Sequence, residues 1–400
     1  MNPEGWLHRL AVAQRERAAR LLRHAPGSSR LYGPPRRFLA DTMAAAPAGT
    51  GRMLRPRRQV PRAMPAHADP PMADRLRGIS SAVIKPRFVA ELPRGRLWGR
   101  AYGYVIDADD ALHGDVSPCF DDFNPAVCAV HDGLRQPWLP RVRRVAGTVA
   151  VLHTLFCENF HHWLLDAVPK LGLLREAGWR LDRIDRFTLP AVARQRWHRE
   201  TFERLGLPEA KILWTTASTH LEADCLLVPS YSEPGREPEK FDYTPEGLAF
   251  VRELFGDGSD AGPRARGPAR IVVSRERTTA RRWLAGDADQ GRLAAAGFEK
   301  ICLEDYSLPA QAALFRDARA IVMPTGGGLA NLAHASPGAR VVELFSPAYL
   351  PTFSVGLCAA LGLEYHALVG DAAPGGTAHS DAGGARDIAL SIETVLHHAR

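Results

Sequence analysis

From His161 to Val369 short apolar runs alternate with helical stretches, and this alternation restricts the chain more than any other feature. Strand–helix–strand units connect parallel strands, so they build a sheet covered by helices on both faces. In the second half the spacing predicts strand Ala269–Ser274, a helix near 288–296, strand Lys300–Leu303 and a helix over 308–317. That helix opens with Ser307 as N-cap and Pro309 in its first turn. Strand Ala320–Met323 then runs into a glycine-rich turn and a short helix, followed by strand Arg340–Leu344, a helix over 353–361 and strand Tyr365–Val369. The first half reads similarly, with a helix over 161–175, strand Phe187–Leu189, a helix over 193–205, strands Ile212–Thr215 and Cys225–Pro229, and a helix over 245–255. Two leading strands, Arg96–Ile106 and Arg141–Phe156, precede it, and the polar stretch Gly256–Gly267 reads as a linker. The expected fold is α/β: two Rossmann-like units facing a cleft, residues 76–260 and 261–400, with ligands at the carboxyl ends of the strands.

Residues 1–75 read differently. They hold 14 Arg against 5 acids, while the whole chain carries a net charge of +7, so the body itself is slightly acidic. Pro, Arg and small residues dominate Ala25–Pro71, and the expectation is a basic, disordered arm. Residues 6–23 form an amphipathic basic pattern with Trp6, Leu10, Leu21 and Leu22 on one side, which suits peripheral contact with an anionic membrane. The arm lacks interleaved aromatics and any nucleic-acid module, and 46 of the 51 basic residues are Arg, a bias of the whole chain, so no nucleic-acid partner is expected. No run approaches the ~18 apolar residues of a membrane span, and Trp6–Leu22 is broken by charges, so no secretory leader is expected. The expected location is cytoplasmic, peripheral at the inner face of the cell membrane. The six cysteines form no CxxC pair and read as scattered thiols.

Three groups of residues bear on chemistry. The turn Thr325-Gly326-Gly327-Gly328, with Asn331 in the following helix, frees backbone N–H groups at a helix start, which favours phosphate as much as it favours a tight connection. Asn331 stands where the third glycine of a dinucleotide fingerprint belongs, and no GK[ST] follows. Glu343 on the next strand suits ribose or sugar hydroxyls. Arg275 closes the first strand of this half, and Arg277, Arg281 and Arg282 follow, a set that suits pyrophosphate or a solvated loop. In the helix from His161, His162 and Asp166 at i and i+4 share a face away from the apolar stripe, with Pro169 expected to kink the helix just past them. The pair reads as a general base or as a structural contact. Asp107 and Asp109 read as a hairpin turn, with a metal-binding DxD as the lesser reading.

The segment Asn159-Phe160-His161-His162-Trp163-Leu164-Leu165-Asp166-Ala167-Val168-Pro169-Lys170-Leu171 resembles the N-x-x-H-W-φ-φ-D-x-φ-P-R-φ segment (φ apolar) of family 61 glycosyltransferases, the capsular-polysaccharide-biosynthesis-like proteins. Ser274-Arg275, Arg281-Arg282, the Gly326–Asn331 turn and Val341-Val342-Glu343-Leu344 follow in that family's order. The resemblance implies a GT-B-type, inverting, metal-independent transferase using a nucleotide-sugar donor and a saccharide or glycolipid acceptor in surface or capsular polysaccharide synthesis. No cofactor is implied beyond that donor substrate. It places His162 and Asp166 at the reaction, Trp163 on the acceptor side, and Arg275, Arg282, Thr325, Gly326, Gly327, Gly328, Asn331 and Glu343 at the donor. Two departures stand out: Thr325 where histidine is usual, and Lys170 where arginine is usual. The first keeps open a catalytically silent protein that binds nucleotide-sugar or polysaccharide. An oxidoreductase or epimerase reading fails for want of the third glycine and a suitably spaced ribose acid.

Overall fold

The computed structural model describes residues 39–45, 50–61, 63–100, 103–117, 139–230, 243–256, 267–372 and 387–400. The strands are β1 (Gly51–Arg55), β2 (Arg58–Pro61), β3 (His67–Ala68), β4 (Ser81–Ile84), β5 (Arg87–Pro93), β6 (Arg96–Trp98), β7 (Tyr104–Ile106) and β8 (Arg143–Val151). They continue with β9 (Arg186–Pro190), β10 (Ile212–Thr215), β11 (His220–Pro229), β12 (Arg270–Val273), β13 (Glu299–Ile301), β14 (Ala320–Pro324), β15 (Arg340–Phe345) and β16 (Glu364–Val369). One sheet runs β1-β5-β11-β8-β9-β10, with β11, β8, β9 and β10 mutually parallel and the β6–β7 hairpin attached to β11. The other is parallel throughout, in the order β13-β12-β14-β15-β16-β3. The expected α/β character is present, with most strands in these two sheets and β2 and β4 paired separately.

The second sheet positions the site. Counted from β12, its order is 2-1-3-4-5, the doubly wound pattern whose strand order reverses between β12 and β14. Helices diverge to opposite faces at that reversal and leave a crevice at the carboxyl ends of the two strands. Arg275 follows β12 and the glycine turn follows β14, so both lie at the crevice. The strand sequences fit their place: every residue of Ala-Ile-Val-Met-Pro in β14 is buried, as a strand covered on both faces requires. A continuous apolar core joins the sheets. It runs from Leu164, Leu171 and Phe187 through Phe250 and Phe255 to Ile271, Phe315 and Ile321. Among the described residues, no helix is long and apolar enough to cross a membrane.

Three expectations change here. The disordered arm over 1–75 does not hold for its described part: β1 pairs with β5, β3 pairs with β16, and Pro70–Leu76 is helical. Gly51, at φ +133°, lets β1 approach so closely that a Cβ there would stand 2.4 Å from the Val89 carbonyl oxygen. Arg55 pairs with Glu176 and Glu246, so part of the arm's charge is neutralised by the body. The second change is that Arg96–Ile106 is a hairpin rather than one strand, Gly99 and Gly103 flanking its turn. In the third, the kink expected at Pro169 takes the form of a π turn. Phe160–His162 is a turn of α-helix, Trp163–Ala167 a π turn in which the Val168 N–H reaches the Trp163 carbonyl, and Val168–Glu176 regular α-helix. The widened turn ends just before Pro169, which has no N–H to offer the α pattern. Residues 6–23 lie outside the described residues, as do 257–266 of the expected linker.

Because β1 and β3 are built into the sheets, a chain beginning at Met72 is expected to melt at least ~5 °C lower than the full chain. Thermal melts of the two would decide it, and equal midpoints would show that these strands contribute nothing.

Candidate active site

Asn159 caps the helix, its Oδ1 accepting the His161 N–H at 2.9 Å. His161 is buried with Nε2 hydrogen-bonded to Tyr243 Oη at 2.9 Å, and its ring stands edge-on to Phe353 at 4.6 Å. On the next residue, His162 Nδ1 meets Asp166 Oδ2 at 2.8 Å. The pair is therefore joined as its spacing suggested. The side chains are 21% and 10% exposed, so the imidazole is the more accessible of the two. Burial pushes the Asp166 carboxyl up from its usual range, opposed by the hydrogen bond and charge of His162 and then by Lys170 and Arg87. Lys170 lies one turn further on, buried, with Nζ donating to the His153 carbonyl at 2.6 Å. Desolvation lowers its pKa to about 7, although nearby Cys157 and Asp166 act the other way. Asp166, Lys170 and Arg87 line one side of a cavity of about 460 Å³.

At the crevice, Arg275 packs directly on the turn. A Cβ added to Gly326 would stand 2.1 Å from Arg275 Nη1, so only glycine leaves the guanidinium its place. The neighbouring Gly327 lies against the helix start, where a Cβ would meet Asn159 Oδ1 at 3.3 Å and the His161 nitrogen at 3.8 Å. The turn thus touches both segments, through Gly326 on one side and Gly327 on the other. Burial lowers the Arg275 pKa to about 10, helped by the charge of Arg281. Among the described residues its guanidinium donates to the Ala280 carbonyl at 3.3–3.4 Å and forms no ion pair. Gly327 and Gly328 are partly exposed at the start of a 3₁₀ helix spanning Gly327–His334. The first amides of such a helix have no partner within it.

Several expected contacts are placed elsewhere. Trp163 is fully buried, donates Nε1–H to Thr201 Oγ1 at 3.0 Å and packs on His198 and Phe202, so it is a core residue and not an acceptor contact. Arg282 is committed to Asp387: its backbone N–H donates to Oδ1 at 2.9 Å and Nε–H to Oδ2 at 3.0 Å, which fixes the loop and occupies the fork expected for the donor. Thr325, Asn331 and Glu343 are completely buried beneath the turn. Asn331 donates to Gln311, which in turn holds the Leu303 and Tyr306 carbonyls. Tyr365 Oη donates to Glu343 Oε2 at 2.8 Å. The Ser354 and Thr325 hydroxyls stand close enough to favour the charged carboxyl but complete no hydrogen bond to it. Glu343 Oε1, Thr325 Oγ1 and Ser354 Oγ are each left without a partner. Burial dominates, and the Glu343 pKa rises to about 7.

Asp107 behaves as a turn residue, its Oδ1 accepting the Asp109 and Ala111 N–H groups at 2.9 Å and its Oδ2 lying 3.0 Å from His113 Nε2. Cys157 is buried and its thiol is pushed up to about 12, which removes it as a nucleophile. His161, Tyr243, Lys170 and Arg87 belong to the site but were not singled out for chemistry in the sequence. Lys170 has a readable signal, since it continues the i, i+4 series of His162 and Asp166. Arg87 lies in a strand far away along the chain and has none.

Residues 160–342 match the family described as Glycosyltransferase 61. The matched stretch begins at the first residue of the helix, includes His162, Asp166, Arg275 and the glycine turn, and supports the family 61 glycosyltransferase implied by the sequence. No curated protein matches the chain.

Glu343 makes a stability prediction. Its folded pKa is raised, so the folded state holds the proton more tightly, and stability is lost as pH rises from the unfolded value near 4.5 through about 7. Glu343→Gln keeps the size and an acceptor for Tyr365 but removes the charge. It is expected to be more stable than the parent at pH 8 by on the order of 2–3 kcal/mol, with the gap closing below about pH 5. Denaturant unfolding at both pH values checks it; a constant gap would refute the buried charge.

Proposed function

With residues 160–342 matched to glycosyltransferase family 61, we propose that the protein moves a sugar from a nucleotide-sugar to a saccharide or glycolipid hydroxyl by a single inverting displacement, using no metal. Arg275 and the Gly327 and Gly328 amides bind the diphosphate, in a GT-B-type arrangement of the two sheets. His162 is the base. Asp166 accepts its Nδ1–H, which leaves Nε2 as the lone-pair nitrogen, the same division of labour as in an Asp-oriented catalytic histidine. Nε2 takes the acceptor proton as the acceptor oxygen forms a bond to C1 and the C1–oxygen bond to the diphosphate breaks. The nucleoside diphosphate leaves with the electron pair, its charge met by Arg275 and the helix-start amides. His162, and after it Lys170 and Arg87, oppose the burial that raises the Asp166 pKa. The observation that carries this reading is the seating of Asn159 and His161 on Gly327, which brings the base-bearing helix and the anion-binding turn into contact. Surface or capsular polysaccharide synthesis at the inner face of the membrane is the proposed setting.

A thermal-shift screen of nucleotide sugars identifies the donor, and turnover is then measured on the one that stabilises. Arg275→Ala is expected to weaken donor binding by about 1.5–3 kcal/mol. His162→Ala and Asp166→Asn are expected to leave donor affinity within about twofold while lowering turnover roughly 10²–10⁴-fold. Full turnover in both helix variants would refute the base. Donor binding by the parent without any turnover would favour the silent binding protein that Thr325 in place of histidine suggests.

Metal independence is tested separately. Excess EDTA is expected to leave the transfer rate unchanged, whereas complete loss restored by manganese would overturn it.

A further inference from the structure

At the far edge of the second sheet, four histidines gather from three separate parts of the chain. His67 lies on β3, His366 on β16, and His397 and His398 end the helix Ile392–His398. The His67 and His398 ring centres are 4.2 Å apart, those of His366 and His398 5.3 Å, and those of His397 and His398 5.0 Å. His366 Nδ1 and His398 Nδ1 face each other at 3.1 Å. Two carboxylates complete the group: Asp69 Oδ1 is 3.0 Å from His67 Nε2, and Glu364 Oε1 is 3.2 Å from His366 Nε2. Asp69 Oδ2 also accepts the Val369 N–H at 2.7 Å, and Glu364 pairs with Arg340 at 2.8 Å. No three such side chains among the described residues are placed to hold a metal ion.

We propose that these histidines form a pH-sensitive clasp that holds β3 on the edge of the second sheet in neutral solution and releases it in mild acid. The hydrogen bonds fix the tautomers. His366 donates Nε2–H to Glu364, so its Nδ1 is a bare acceptor, and His398 supplies the Nδ1–H between them. One added proton can be shared between the two Nδ1 atoms as an imidazolium–imidazole hydrogen bond, but with both rings protonated two N–H groups face each other and the bond is lost. A proton added to His398 is opposed by burial and by the charges of His67, His366 and His397, and favoured by Asp69. Burial and then the three histidines hold the His398 pKa below its ordinary value. The unfolded or released chain takes its proton near pH 6.5, so the clasp has its full strength above that pH and weakens as pH falls below it.

What the clasp holds is short. Besides the two residue pairs of β3 and β16, the Ala66 N–H donates to the Tyr365 carbonyl at 2.8 Å and the Asp69 N–H to the Ala367 carbonyl at 3.0 Å. Two-residue pairing is weak by itself, so side-chain repulsion can decide it. Tyr365, which receives the Ala66 bond, also supports Glu343 beneath the glycine turn. Release of β3 therefore loosens the strand that carries that support.

Hydrogen exchange of the full-length protein, read by mass spectrometry at about pH 7.5 and pH 5.5 and corrected for the intrinsic rate, tests the clasp. A peptide covering residues 66–69 is expected to lose protection several-fold at the lower pH, while peptides of β12 and β14 keep theirs. His366→Gln and His398→Gln are expected to abolish this pH dependence whatever their absolute protection. Unchanged protection at pH 5.5, loss in parallel with β12 and β14, or an undiminished drop in both variants would each overturn the proposal.

Discussion

The fold of the site depends on one close approach, that of Asn159 and His161 to the backbone of Gly327. A parallel sheet presents the turns at its carboxyl edge to whatever packs above them, and side chains on those turns normally keep a second segment at a distance. At Gly327 no side chain intervenes. The oxygen that caps the helix by accepting the His161 N–H is the atom that a Cβ at Gly327 would press upon. Cap and turn therefore fix each other. The Phe353 ring against His161 adds a third element, since the helix Phe353–Leu361 also carries Ser354 to the buried Glu343. The position of His162 follows from this arrangement, one residue beyond a histidine gripped by Tyr243, Phe353 and the turn.

Around that contact the protein buries charge at a cost that packing alone does not require. Asp166, Lys170, Arg275 and Glu343 are all largely removed from water, and apolar residues of similar volume would generally serve stability as well or better. Two of them are given less than full compensation among the described residues: Arg275 holds a carbonyl at long range, and Glu343 has one phenolic donor for two oxygens. Groups left in this condition respond strongly to any charge brought near them, because little water is present to screen it. A diphosphate arriving at Arg275 would meet a cation that is held in place and poorly neutralised.

Much of the architecture was legible in the sequence because it rests on local rules. Ile212–Thr215, Pro245–Phe255, Leu308–Asp317 and Phe353–Leu361 fall where apolar period, caps and prolines placed them. The pairing of His162 with Asp166 was legible for the same reason, since i and i+4 spacing is a local property. What escaped depends on distant partners. Arg282 reads as a free fork until Asp387, over a hundred residues away, claims it. Trp163 reads as a candidate contact until Thr201 and Phe202 enclose it. The segment around β1 and β3 is rich in Pro and Arg, as a tail is. Only the waiting edges of β5 and β16 make it strand, and no property of residues 51–68 announces them.

The π turn explains why the same short segment serves both packing and chemistry. Trp163 is fully buried, whereas His162, one residue before it, and Asp166, three after, meet each other on the other side of the helix. The Val168 N–H reaches back five residues to the Trp163 carbonyl, which widens the helix at this turn. Trp163, Leu164 and Leu165 go to the core, while Asp166 turns back to reach His162 with one oxygen. The carboxylate is the more buried partner and one of its oxygens is engaged by His162, so the imidazole is the more accessible group of the pair. Pro169, by withholding an N–H just beyond, favours widening of the helix at that place.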